Sequence, residues 1–137
     1  MMRAYPVEKF NSSEGRGWYE LKSDIDNGLP VDVLEELKES YRFTDESLAK
    51  ILGVSTRTIL RRKDGHLNTE ESTRIYLLAK VLNKTRELMG TTDNVLEWMQ
   101  IKNPALKMHT PLEVCTNIVG YEKVINLLNK IEWGIPY

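Results

Sequence analysis

From Ser55 to Lys63 the chain reads Ser-Thr-Arg-Thr-Ile-Leu-Arg-Arg-Lys, hydroxyls and cations interrupted by two apolar residues. These side chains are suited to binding anions and base edges. A hydroxyl at a helix N-terminus reaches a phosphate or a base edge, and arginine bridges guanine O6 and N7. Ser55, Thr56, Arg57, Thr58, Arg61, Arg62 and Lys63 are therefore candidate DNA contacts. Arg57 and Arg61 are assigned to bases, and Thr56, Arg62 and Lys63 mainly to phosphates.

A helix must gather these groups on one face, and a second element must hold that helix. Residues 45–63 supply both. Leu48, Ile51 and Leu52 form an apolar stripe at helical spacing, with Thr44 as N-cap. Ala49 is small enough for a second helix to cross closely. Gly53 ends the first helix in a left-handed conformation, Ser55 caps the second, and Val54 and Ile59 face the core. The pattern is a helix-turn-helix whose second helix enters a major groove. The plain alternative is a helical hairpin with a solvated basic face.

A chain of 137 residues fits one domain or two very small ones, and its apolar content supports a core. The net charge is only −1, but its distribution is uneven. Residues 1–44 hold six Lys or Arg against nine Asp or Glu. Residues 53–66 hold Arg57, Arg61, Arg62 and Lys63 against Asp64 alone. The cations sit on the proposed recognition helix, the footprint that phosphate binding requires. So small a net charge weakens non-specific DNA binding, so useful affinity is expected to need a homodimer.

The chain is expected to be all-α. Residues 1–28 read as a loosely ordered arm, with Trp18, Tyr19 and Leu21 docking on the body. Pro30 stands at the first position of a helix carrying Val31, Leu34, Leu37 and Tyr41. Asn68 and Glu71 form a capping box opening a long helix to about Met89, with Ile75, Leu78, Val81, Leu82 and Met89 on its apolar face. Arg74, Lys80, Lys84 and Arg86 form its solvated side, Arg74 being close enough in sequence to assist on DNA. Thr92 is expected to cap a short helix after Gly90. Asn103-Pro104-Ala105-Leu106 reads as a connector, and Thr110-Pro111-Leu112-Glu113 as a helix start. A last helix from about Asn117 to Glu132 places Ile118, Tyr121, Val124, Ile125, Leu128 and Ile131 on one face, and Gly134 stops it. The expected division is an arm (1–28), a helix-turn-helix domain (29–90) and a C-terminal domain (91–137).

Neither His66 nor His109 has a neighbour at metal-ligand spacing, and no nucleophile elbow, P-loop or Rossmann glycine pattern occurs. The acidic pairs Glu35-Glu36 and Glu70-Glu71 suit helix surfaces and first turns. No enzyme activity, cofactor or metal is expected. Cys115, the only cysteine, reads as a small buried apolar residue. Without a long apolar run or signal segment, a soluble, cytoplasmic protein is expected.

Three ordered segments resemble the Xre/MbcA/ParS antitoxin family. They are Ser55–Leu82, with Arg-Thr, Arg-Arg, Gly-x-Leu and Glu-Ser elements; Trp98–Val114, with Trp-x-x-x-x-Asn-Pro-Ala-Leu and Thr-Pro-Leu-Glu; and Val124–Tyr137, ending in Ile-Glu-x-Gly. Asp26-Asn27-Gly28-Leu29-Pro30 is similar to the family's lead-in. The chain departs from the pattern at Lys107-Met108-His109, where glycines are frequent, at Lys130 and at Cys115.

The resemblance implies a type II antitoxin whose partner is a RES-domain toxin that attacks NAD or transfers ADP-ribose from it. The C-terminal domain would bind the toxin, and the helix-turn-helix would bind operator DNA and repress the operon. Trp133, Gly134, Ile135, Pro136 and Tyr137 then become a plug for the toxin's NAD cleft, with Asn103 and Leu106 as further candidate contacts. Two rivals remain: a free-standing regulator with a ligand-sensing C-terminal domain, and an interaction module that has lost DNA binding.

Overall fold

The computed structural model describes residues 17–62 and 64–135. Among these the architecture is all-helical: α1 (Trp18–Asn27), α2 (Asp32–Tyr41), α3 (Asp45–Leu52), α4 (Thr56–Arg61), α5 (Thr69–Met89), α6 (Thr92–Gln100), a 3-10 turn (Pro104–Leu106), α7 (Pro111–Val114) and α8 (Ile118–Glu132). Lys63, Pro136, Tyr137 and residues 1–16 lie outside the described residues. Contacts divide the chain into Met1–Ala79 and Lys80–Tyr137. The division therefore falls inside α5, whose first turns belong to one unit and last turns to the other, rather than at Gly90.

In the first unit the core is built from Leu29, Val33, Leu34, Leu37, Leu48, Ile51, Leu52, Ile59, Leu67, Ile75 and Leu78. Local devices close both ends of α3 and open α4 and α5. The Thr44 hydroxyl accepts from Ser47 N–H and opens α3, and Gly53, at φ 73°, closes it in the left-handed region. Ser55 accepts from Thr58 N–H and opens α4. Asn68 and Glu71 make the expected reciprocal capping box, at 2.8 and 3.0 Å.

Two expectations for this unit are corrected. Residues 18–27 form a helix and not a loose arm. An i,i+4 pair, Lys22 to Asp26 at 2.5 Å, supports it. Thr69 Oγ1 donates to Asp26 O at 3.0 Å and satisfies a helix-end carbonyl. Trp18 and Tyr19 do not dock on the body: both are exposed, their rings stacked edge to face at 5.6 Å. Pro30 is not the first residue of α2, because Val31 is its N-cap. Instead Leu29, Pro30 and Val31 pair with Gly65, His66 and Leu67, through Leu67 N–H to Leu29 O and Val31 N–H to Gly65 O.

In the second unit Val81, Leu82, Val95, Met99, Leu106, Cys115, Tyr121, Val124, Leu127 and Leu128 are buried. Burial pushes the Cys115 thiol up to about 12, which keeps it neutral. Thr91, one residue earlier than expected, caps α6. Thr92 is occupied otherwise: its hydroxyl accepts from Arg86 Nη1, while Arg86 Nε holds Gly90 O. Ile118 was expected on the buried face of α8 but is exposed, as is Val119. The close approach lies one residue on, at Gly120, where an added Cβ would fall 1.8 Å from Val114 O. With no side chain there, α8 packs directly on the α7 backbone.

The Thr110–Glu113 capping box of α7 forms as the sequence indicates. Hydrogen bonds from Thr110 hold the Glu113 carboxyl below the usual carboxylate range. A depressed folded-state pKa adds stability above the unfolded value and loses it as pH falls through the folded one. Carbon-detected titration of Glu113 should give a midpoint below that of a glutamate in an unstructured peptide. Gly120→Ala should destabilise the chain by about 1–3 kcal/mol in chemical denaturation, because α8 must retreat from α7.

Candidate functional site

The four arginines assigned or lent to DNA contact divide into two pairs. Arg57 and Arg61 lie on α4 on the side opposite the buried Ile59, and both are exposed with no ion pair to a described residue. With 100° per residue, they straddle the direction pointing directly away from the core. Thr56 and Thr58 flank them, half-buried, and Thr58 Oγ1 shares a 3.0 Å hydrogen bond with Ser55. Ser55 is thus committed to capping, its hydroxyl spent on α4 itself. Leu60 was missed by sequence reasoning: it is 53% exposed on the flank shared with Thr56.

Arg62 corrects the expectation of a phosphate contact. Its Nη2 lies 2.8 Å from Glu71 Oε2, and the Glu71 side chain is nearly buried. The other Glu71 oxygen accepts the Asn68 N–H, so a single carboxylate caps α5 and anchors the end of α4. Arg74 is likewise part of the frame. Its Nη1 donates to Ile51 O at 3.1 Å and its Nη2 meets Glu70 at 3.2 Å, placing a cation against the C-terminus of α3. Lys63 lies outside the described residues.

The C-terminal candidates also separate. Leu106 is 4% exposed, so it belongs to the core and offers no surface to a partner. Asn103 holds the turn after α6: its Oδ1 accepts from Ala105 N–H at 2.9 Å and its carbonyl from Leu106 and Met108. At the end of α8, Gly134 takes φ 67°. Ile135 N–H then bonds to Lys130 O at 2.8 Å and Gly134 N–H to Ile131 O at 3.2 Å. That pair of bonds is a Schellman closure, which fixes the backbone through Ile135. Trp133, 75% exposed, and Ile135 are therefore displayed from a rigid helix end. Lys84 pairs with Glu132 at 2.6 Å and secures that end to α5. Pro136 and Tyr137 lie outside the described residues.

Among the described residues no group of three or more His, Cys, Asp or Glu side chains could hold a metal ion. No described helix is long and apolar enough to cross a membrane.

A helix-turn-helix followed by a small helical domain with a capped, aromatic terminus defines the class, and comparison with known proteins agrees. Residues 20–80 match the antitoxin Xre-like helix-turn-helix domain, and residues 84–134 the antitoxin Xre/MbcA/ParS C-terminal toxin-binding domain. Antitoxin Xre of Photorhabdus laumondii subsp. laumondii is 29% identical over 129 residues, covering 92% of this chain and 85% of that protein. A chain in the crystal structure of the M. tuberculosis MbcT-MbcA toxin-antitoxin complex shares the fold, with a TM-score of 0.59 at 19% identity. The match covers 78% of this chain and 96% of that one. The chain belongs to the Xre/MbcA/ParS antitoxin family.

The two classes of arginine should separate in stability measurements. Arg62→Ala strands the nearly buried Glu71 carboxylate and should cost about 1–3 kcal/mol. Arg57→Ala, a surface change, should stay within about 0.5 kcal/mol of wild type in the same denaturation series.

Proposed function

We propose that this antitoxin neutralises a cognate RES-domain toxin, one that consumes NAD or transfers ADP-ribose, and represses its own operon. The observation that carries the DNA half is the contrast within one short helix. Arg57 and Arg61 are exposed and unpaired among the described residues, while Arg62 and Arg74 are spent on the frame. A helix fixed in place and presenting two free guanidinium forks is built to read base edges. In a homodimer, two such helices would meet half-sites about one DNA turn apart.

The toxin half rests on the exposed end of α8. Trp133 and Ile135 offer apolar area on a backbone already ordered, so binding costs little conformational entropy there. The segment from Trp133 through Tyr137 would enter or cover the toxin's NAD cleft. Asn103, half-buried at the turn after α6, is kept as a further candidate contact; Leu106, buried, is not proposed again as one. The setting of this activity is the cytoplasm, with no enzymatic step by the antitoxin.

Two experiments test the halves independently. Arg57→Ala should weaken binding to the chain's own promoter DNA by about 1–3 kcal/mol and leave toxin binding intact. Equal loss on unrelated DNA would instead make Arg57 a phosphate contact. Deleting the last four residues should abolish inhibition of the co-expressed toxin and spare promoter binding. Full inhibition by the truncated chain would eliminate the plug.

A further inference from the structure

Leu60 belongs neither to the core nor to the cations of α4. Among the described residues of the first unit that follow α1, it is the one large apolar side chain left exposed, at 53%. A lone exposed leucine on an ordinary surface needs no explanation. Leu60, however, stands on the helix that carries the two unpaired arginines. Arg57 and Leu60 are three residues apart and lie about 60° apart around the helix axis. Arg61 follows Leu60 directly, so the three side chains form one outward arc away from the buried Ile59.

The flank beneath Leu60 narrows what it can meet. A hollow of about 210 Å³ opens there between α2 and α4, and Asp32 and Glu35 stand at it. Both residues are exposed, and their carboxylates disfavour a phosphate at that place. The two cations at the same hollow are spent on the protein: Lys38 pairs with Asp45 at 2.5 Å and Arg62 with Glu71 at 2.8 Å. This flank therefore offers the DNA backbone no free cation, and Leu60 is left to face a base edge. Major-groove edges present hydrogen-bond donors and acceptors, which leucine cannot answer, and the thymine methyl group, which it can.

We propose that Leu60 is a specificity-determining residue that contacts a thymine methyl group beside the guanines bridged by Arg57 and Arg61. Along the helix the two arginines stand about 6 Å apart, just under two base-pair steps of about 3.4 Å. The thymine thus falls within the same short run of base pairs as the guanines. Its methyl group separates thymine from cytosine without a hydrogen bond. The inference rests on the reading that α4 binds operator DNA, and adds the base that it selects besides guanine.

The test compares two forms of the chain's own promoter fragment, one natural and one with deoxyuridine replacing every thymidine. That replacement removes the methyl groups and keeps the hydrogen-bonding edges. The full-length chain should bind the deoxyuridine fragment about fourfold or more weakly, the value of one lost methyl contact. Leu60→Ala should lose a similar factor on natural DNA and nothing further on the deoxyuridine fragment, with Tm close to wild type because the side chain is on the surface. Leu60→Met, which keeps an apolar reach, should retain a preference for the natural fragment. Equal affinity of the unmodified chain for the two fragments overturns the thymine contact and leaves DNA binding intact. So does a further loss by Leu60→Ala on the deoxyuridine fragment, which traces the methyl effect to other residues or to DNA shape. Failure of the unmodified chain to bind the natural fragment overturns the DNA-binding reading and this inference with it.

Discussion

The first unit depends on the Glu71 carboxylate. One of its oxygens closes the capping box with Asn68, and the other holds Arg62 at the end of α4. A six-residue helix has no stability of its own, because nucleation consumes more backbone entropy than so few hydrogen bonds return. Its position must come from outside. The first turns of α5 provide it: Glu71 takes the end of α4, Arg74 takes Ile51 O at the end of α3, and buried Ser72 accepts from Leu29 N–H at 2.8 Å. Three structural links, from Glu71, Ser72 and Arg74, therefore leave one helix start, and the helix-turn-helix is held from behind.

This arrangement explains why basic residues on so small a motif are not equivalent. A guanidinium near a nearly buried carboxylate satisfies a charge the core could not otherwise tolerate. A guanidinium on the opposite face, at Arg57 or Arg61, is exposed and makes no ion pair with a described residue. Part of the chain's positive charge, at Arg62 and Arg74, is paired internally with Glu71 and Glu70.

Local signals in the sequence were legible because they act over three or four residues. Thr44, Ser55, the Asn68–Glu71 box and the Thr110–Glu113 box all close helices as their spacing indicates. Gly53 and Gly134 likewise adopt the left-handed φ that a helix stop requires. What stayed hidden was long-range. Nothing near Arg62 or Arg74 in sequence announces that Glu71 and Ile51 O wait for them across the fold. Helix α1 was obscured by its weak apolar periodicity, since it buries no residue and relies on Lys22–Asp26 and Thr69. Ile118 misled because it fits the α8 periodicity yet stands exposed beside Asn117, ahead of the close contact at Gly120. The family resemblance did mark Lys107-Met108-His109 as a departure, but the left-handed backbone at Lys107 and Met108 is visible only in three dimensions.

Two surfaces on one chain, one for DNA and one for toxin, are the central claim. Amide hydrogen exchange of the full-length antitoxin, alone and then with promoter DNA or inactivated toxin, tests it most directly. DNA should slow exchange in residues 55–62 with little change beyond Gly90, and toxin should slow exchange in 130–135 while leaving 55–62 as it was. Toxin protection centred on residues 55–62, or DNA protection confined to the C-terminal residues, would contradict the claim.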